Sequence, residues 1–175
     1  MSKHVVDALI EIPLGSKNKY EKDKETGRIR LDRVLYAAMM YPAEYGIIEE
    51  TLAPDGDALV ILVIFNDPTF PGCIVPARVL GYLATMDRGK EDYKLIAVAD
   101  CDPRYDNVQK LEDLPPFILD EISNFFQNYK VIFVGIKSFH EFVCNFISTH
   151  FRLHIIGGNL GGSNQNSVFA FVCLF

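Results

Sequence analysis

Ala53-Pro-Asp-Gly-Asp-Ala-Leu-Val-Ile-Leu-Val63 joins a tight polar turn to an uninterrupted apolar run. Pro54-Asp55-Gly56 is turn chemistry and Leu59 to Phe65 is strand chemistry, because Asp-Gly favours sharp reversals while β-branched and aliphatic side chains suit a buried pleated surface. The same alternation of strand and punctuation repeats on both sides. Val5 to Glu11, Lys19 to Asp23, Ile29 to Leu35, Ile47 to Thr51, Ile74 to Met86 and Tyr93 to Val98 read as further strands. Thr26-Gly27, Asp67-Pro68 and Arg88-Gly89 break the chain between them. Many short strands with few helices predict a β-rich α+β chain, a barrel rather than a bundle.

Downstream, Pro115-Pro116 followed by Phe117, Ile118, Ile122, Phe125 and Phe126 predicts an amphipathic helix opened by proline, ending near Tyr129 and Lys130. After Lys130 the character changes: only Lys137, Glu141 and Arg152 carry formal charge, and eight of the thirteen phenylalanines lie there. Phe139, Phe142, Val143, Phe146 and Ile147 keep helical spacing, which predicts a helix from about Ser138 to Phe151. Gly157 to Ser163 then reads as a turn-rich stretch in a single domain over 1–175.

The 175 residues carry a net charge of −6. That balance disfavours nucleic acid, whose phosphate backbones are bound through clustered Lys and Arg, and favours cations. The four cysteines, Cys73, Cys101, Cys144 and Cys173, are scattered without a CxxC pair, so neither zinc nor redox chemistry is signalled. No basic-then-apolar leader opens the chain and no apolar run reaches the ~20 residues that span a bilayer, so the expectation is a cytoplasmic protein away from membranes. His150 and His154, four apart, lack the adjacent Glu of a metalloprotease helix and read as packing or surface residues.

Two aspartates, Asp55 and Asp57, stand two apart and, in extended chain, project to one side. Converging carboxylates repel, and a hard divalent cation removes that cost. Taken alone, Asp-Gly is more often a solvated turn. It keeps company, however, with Glu11-Ile-Pro, Lys19-Tyr-Glu21, Arg33 and Tyr41-Pro-Ala-Glu-Tyr45-Gly upstream, and with Asp87-Arg-Gly-Lys-Glu-Asp92-Tyr-Lys94 and Phe125-Phe-Gln-Asn-Tyr129-Lys130 downstream. Singly, Lys19 and Arg33 read as solvated strand residues, Tyr41 and Tyr45 as core aromatics. In this order the series resembles the soluble inorganic pyrophosphatases of the family I, bacterial type, from about Glu11 to Lys130.

The resemblance implies a small closed OB-like β-barrel with one or two outer helices. It implies an inorganic diphosphatase converting pyrophosphate and water to two orthophosphates with several Mg²⁺ ions, Mn²⁺ or Zn²⁺ being possible substitutes. By that resemblance Asp55, Asp87 and Asp92 hold metal, with Glu11 and Glu21 contributing through water. Lys19, Arg33, Lys94 and Lys130 neutralise phosphoryl oxygens, Tyr45 and Tyr129 donate hydrogen bonds to them, and Asp57 is the general base. It further implies a homo-oligomer, a hexamer in bacterial-length members, and an ending of a strand and a charge-rich helix, against which residues 131–175 read as a divergent or frame-shifted tail.

Two positions depart from the family signature Asp-x-Asp-Pro-x-Asp: proline is replaced by Ala58 and the third aspartate by Val60. Valine offers no lone pair to a cation. A hairpin through Pro54 to Gly56 would bring Glu50 opposite position 60 as a substitute. The alternative expectation is a catalytically impaired relative that binds metal or phosphate without efficient turnover.

Overall fold

The computed structural model describes residues 4–35, 38–87, 90–129 and 132–138, with backbone alone for Met86, Asp87, Lys90 and 132–138. Seven strands precede one helix: β1 (Val5–Ile12), β2 (Asn18–Lys22), β3 (Ile29–Val34), β4 (Glu44–Ile48), β5 (Leu59–Ile64), β6 (Ile74–Asp87) and β7 (Lys90–Ala99) lead to α1 (Pro116–Tyr129), and β8 (Ile132–Ser138) follows.

The main sheet runs β1-β4-β5-β7-β6-β8, and a second pairing of β1 with β6 closes five of these strands into a ring. All its pairings are antiparallel except β5 with β7, where Val60 lies beside Lys94. β6 is long enough to serve three neighbours: Ile74 to Arg78 meets β1, Ala77 to Asp87 meets β7, and Gly81 to Met86 meets β8. The result is the small closed OB-like barrel that the motif series implies. β2 and β3 form a separate two-stranded sheet.

Alternation along the ring strands separates two cores. Ile61 and Val63 join Ala8, Ile10, Leu95 and Ala97 in one, whereas Leu62 and Ile64 join Ile12, Ile96, Val98 and the α1 residues Ile122, Phe125 and Phe126 in the other. Position 60 shares the face of Leu62 and Ile64, because side chains two apart in a strand point the same way.

Turn chemistry fixes where the elements stop. In the β2–β3 hairpin, Asp23 Oδ1 accepts from the backbone N–H groups of Glu25 (3.1 Å) and Thr26 (2.8 Å), and Gly27 takes φ of 67°. Ser, Asp and Gly at such positions satisfy the reversing backbone that strands cannot.

Several expectations are corrected here. β4 spans Glu44–Ile48 rather than Ile47 to Thr51. The Thr51 hydroxyl donates to Ile48 O (2.6 Å) and accepts from Leu59 N–H (2.9 Å), so Thr51 ties off the turn instead of extending the strand. Phe117 lies outside the core, 66% exposed at the start of α1. Ser138, expected to open a helix, ends β8 instead. The expected helix beyond it, together with His150, His154, Cys144 and Cys173, lies outside the described residues. Among those described, Cys73 and Cys101 are free thiols. No described helix is long and apolar enough to cross a membrane.

Candidate active site

Glu11 enters the site through an irregularity in β1. The register against β4 slips between Ile10 and Ile12, and the extra residue re-aims the strand. The Glu11 carboxylate is buried, 7% exposed, and accepts from Lys22 N–H at 2.6 Å. Burial raises its pKa above the ordinary carboxylate value, against the opposing pull of that hydrogen bond, and the nearby Glu21 charge adds to the rise.

A continuous polar chain runs from the hairpin to the helix. The Lys19 ammonium pairs with Glu21 and, at 3.3 Å, with Asp32. Asp32 lies 3.7 Å from the Arg33 guanidinium, and Arg33 donates to the Tyr129 hydroxyl at 3.2 Å. Tyr41 donates to the same hydroxyl at 3.3 Å. Burial pulls the Lys19 pKa down, but Glu21 and Asp32 outweigh it and hold the ammonium above its ordinary value.

Tyr45 marks where these residues converge. Its phenol is pushed upward, first by burial and then by the negative charges of Asp92 and Glu11, with Tyr129 and Glu21 adding to them. Residues from β1, β2, β7 and α1 therefore act on one hydroxyl carried by β4. On β7, Lys94 is buried, and its ammonium pairs with Asp92 and sits 5.4 Å from the Phe126 ring centroid.

Asp55 and Asp57 stand apart from this cluster. The Ala53 and Gly56 N–H groups close bonds to Asp57 O (2.7 Å) and Ala53 O (2.9 Å), and the Asp57 N–H donates to Asp55 Oδ1 at 3.0 Å. This is a folded turn with Gly56 at φ of 91°, which corrects the expectation of an extended segment aiming both carboxylates alike. Asp57 pairs instead with Lys24 from the β2–β3 hairpin, whose ammonium is held above its ordinary pKa by that bond and by Asp55. Opposite position 60 stands Ile47, not Glu50. Glu50 sits in the turn after β4 with φ of 59°, beyond the last paired residue Ile48, so it is not the cross-strand partner of position 60.

Among the described residues no three of His, Cys, Asp and Glu are gathered tightly enough to chelate one ion. The donor set nevertheless fits a hard divalent cation. It consists of carboxylate oxygens, and the most buried of them, Glu11, is held short of its normal acidity by lack of water and by Glu21, conditions that a cation relieves. Asp87 ends β6 opposite Lys90, with its side chain outside the description, and Lys130 lies outside it altogether. Two contributors escaped the sequence-derived site set: Tyr41 and Phe126. Helical spacing marked Phe126 as core, which it is, and gave no sign that its ring also faces a lysine.

Residues 8–151 match the family described as inorganic pyrophosphatase. The inorganic pyrophosphatase of Halalkalibacterium halodurans is 60% identical over 126 residues, 72% of this chain and 77% of that one. That of Nostoc sp. is 52% identical over 72% of this chain and 75% of its own. The crystal structure of inorganic pyrophosphatase from Thermus thermophilus superposes with a TM-score of 0.74 at 42% identity, covering 77% of this chain and 82% of that chain. The Helicobacter pylori enzyme gives 0.75 at 35% identity, over 81% and 91%. A buried Glu11, a lysine–aspartate pair on β7 and an arginine bridged to a helix-end tyrosine thus occur in a barrel and a sequence of one kind, and the chain belongs to the inorganic pyrophosphatase family.

Proposed function

We propose that this chain is a Mg²⁺-dependent inorganic diphosphatase, cleaving pyrophosphate with water to give two orthophosphates. The observation that carries this reading is the mixed set around Tyr45: carboxylates Glu11, Glu21 and Asp92 and the Tyr129 phenol act on its hydroxyl, and cationic Lys19, Lys94 and Arg33 pair in turn with Glu21, Asp92 and Tyr129. An acidic pocket admits a polyanion only when cations invert its field, and carboxylates beside lysine and arginine supply both halves of that requirement. Glu11, Glu21, Asp55, Asp87 and Asp92 would hold the metal, which when bound neutralises phosphoryl charge and acidifies water.

The protein's own groups account for the remaining steps. Arg33 and Lys94 fix phosphoryl oxygens, Arg33 through its planar fork and Lys94 as a point charge oriented by Asp92. Lys19 and Lys130 add charge at the rim, and Tyr45 and Tyr129 donate O–H. Asp57 leaves Lys24, takes a proton from the attacking water as its oxygen bonds phosphorus, and the bridging P–O bond breaks toward the second phosphate. The same reading assigns a cytoplasmic homo-oligomer, a hexamer by likeness to the bacterial enzymes.

Orthophosphate release from pyrophosphate and Mg²⁺ by the purified protein tests this. Turnover is expected, and Asp57→Asn should reduce it by at least about a hundredfold, in line with loss of a general base. Wild-type protein without turnover, or Asp57→Asn with unchanged rate, would defeat the reading.

A further inference from the structure

We infer that Tyr41 is a positioning residue that fixes the Tyr129 hydroxyl as a hydrogen-bond donor aimed at the substrate. The inference rests on the diphosphatase reading above and extends it to a residue that touches no substrate. A phenolic oxygen has two acceptor lone pairs and one proton. Arg33, which has no acceptor, donates to the Tyr129 oxygen at 3.2 Å, and Tyr41 donates to it at 3.3 Å. Both lone pairs are taken. The Tyr129 proton must then point away from both donors, where the diphosphatase reading places a phosphoryl oxygen.

The direction of the tyrosine–tyrosine bond is set by burial. Tyr41 is 2% exposed, and among the described residues its hydroxyl is bonded to Tyr129 alone. With the bond reversed, the Tyr41 proton would be buried without an acceptor, a loss of about 1–3 kcal/mol. The rings cannot turn to escape this. Tyr41 packs against Phe125 at 4.8 Å and edge-on to Tyr45 at 5.5 Å, while Phe125 stacks on Tyr129 at 5.1 Å with 12° between planes. Burial and the neighbouring Tyr129 both hold the Tyr41 phenol protonated, so it remains a donor throughout the working pH range.

A donor already aimed at a phosphoryl oxygen forms its bond without reorientation, which is the advantage of preorganised dipoles in charge-developing sites. Removing Tyr41 Oη frees one lone pair of Tyr129 and lets its proton rotate toward bulk water.

The test is a double-mutant cycle of Tyr41→Phe and Tyr129→Phe, read as the dissociation constant for inorganic phosphate by calorimetry in Mg²⁺ and as KM and kcat for pyrophosphate. Tyr41→Phe is expected to weaken phosphate binding and raise KM by about three- to tenfold, the range of one net hydrogen bond. In the Tyr129→Phe background it should add nothing, whereas with Lys94→Gln its effect should multiply. Independent, multiplying effects of Tyr41→Phe and Tyr129→Phe would overturn the inference, as would unchanged binding and KM in Tyr41→Phe. A general loosening of the fold would lower the effect of no single partner selectively. If the unaltered protein binds phosphate but does not turn over, the diphosphatase reading fails while the binding cycle still decides the role of Tyr41. Absence of phosphate binding would defeat both.

Discussion

Val60 sits half-buried between Ile47 on β4 and Lys94 on β7, on the strand face that carries the site. A carboxylate there would stand next to a lysine already paired with Asp92, and would add a ligand to the cations that the proposed function assigns to the other carboxylates. Val60→Asp is therefore expected to raise kcat/KM for pyrophosphate by tenfold or more, a transition-state gain of about 1.4 kcal/mol per decade. It should also lower the Mg²⁺ concentration at which the metal protects the fold against heat, and in the absence of metal it should destabilise by adding an uncompensated charge. An equal rate and an unmoved metal midpoint would show that position 60 makes no contact with the cations. This residue was legible in the sequence, because a missing aspartate breaks a spaced pattern. The pairing of Asp57 with Lys24 was not, since a salt link between two turns has no spacing of its own.

At the scale of elements, β4 determines how closely the ring can approach the bulge that presents Glu11. A Cβ at Gly46 would lie 2.3 Å from Leu9 O and 3.0 Å from Ile10 Cα, so the two backbones meet where any side chain would collide. Gly46→Ala should destabilise by about 3 kcal/mol or more, since the obstruction is backbone, and should depress activity by moving Glu11. Chemical unfolding measures the first effect; an alanine variant as stable as the wild type would mean that β1 and β4 separate without cost. Two residues earlier, the fully buried Glu44 accepts from Leu14 N–H (3.1 Å), Thr69 N–H (2.9 Å) and Thr69 Oγ1 (2.6 Å), and so ties two loops to the strand. Strand existence was readable from apolar runs and turn residues, as Leu59 to Phe65 illustrates. The ends of β4 were not. Glu44 and Tyr45 look polar enough for a loop, and Thr51 looks β-prone, until three tertiary hydrogen bonds bury the first and a turn claims the last. β8 went unassigned although Ile132 to Ile136 is strongly apolar, because the same run suits a buried helix as well as a strand.

Over the whole molecule, the site lies where three separately built parts meet: the ring, the β2–β3 hairpin and the C-terminal end of α1. The order of motifs along the chain foreshadowed that meeting, but no single segment did, since Arg33 and Tyr129 are brought together only by tertiary packing. The convergence leaves a signature in alkaline stability. Burial first, and neighbouring phenols or carboxylates second, raise the pKa values of Tyr41 and Tyr45 above the ordinary tyrosine value of about 10. In the unfolded chain both titrate normally. Above about pH 10 the unfolded state therefore releases protons that the native state retains, and stability falls with rising pH, by about 1.4 kcal/mol per unit for each such phenol. Below that pH both states are protonated and the two groups contribute no slope. Urea unfolding at intervals from pH 8.5 to 11 should be flat at first and then decline, and Tyr41→Phe should reduce the decline by one proton. A stability that holds level to pH 11, or a decline that Tyr41→Phe leaves unaltered, would mean that these hydroxyls ionise as freely in the barrel as in water.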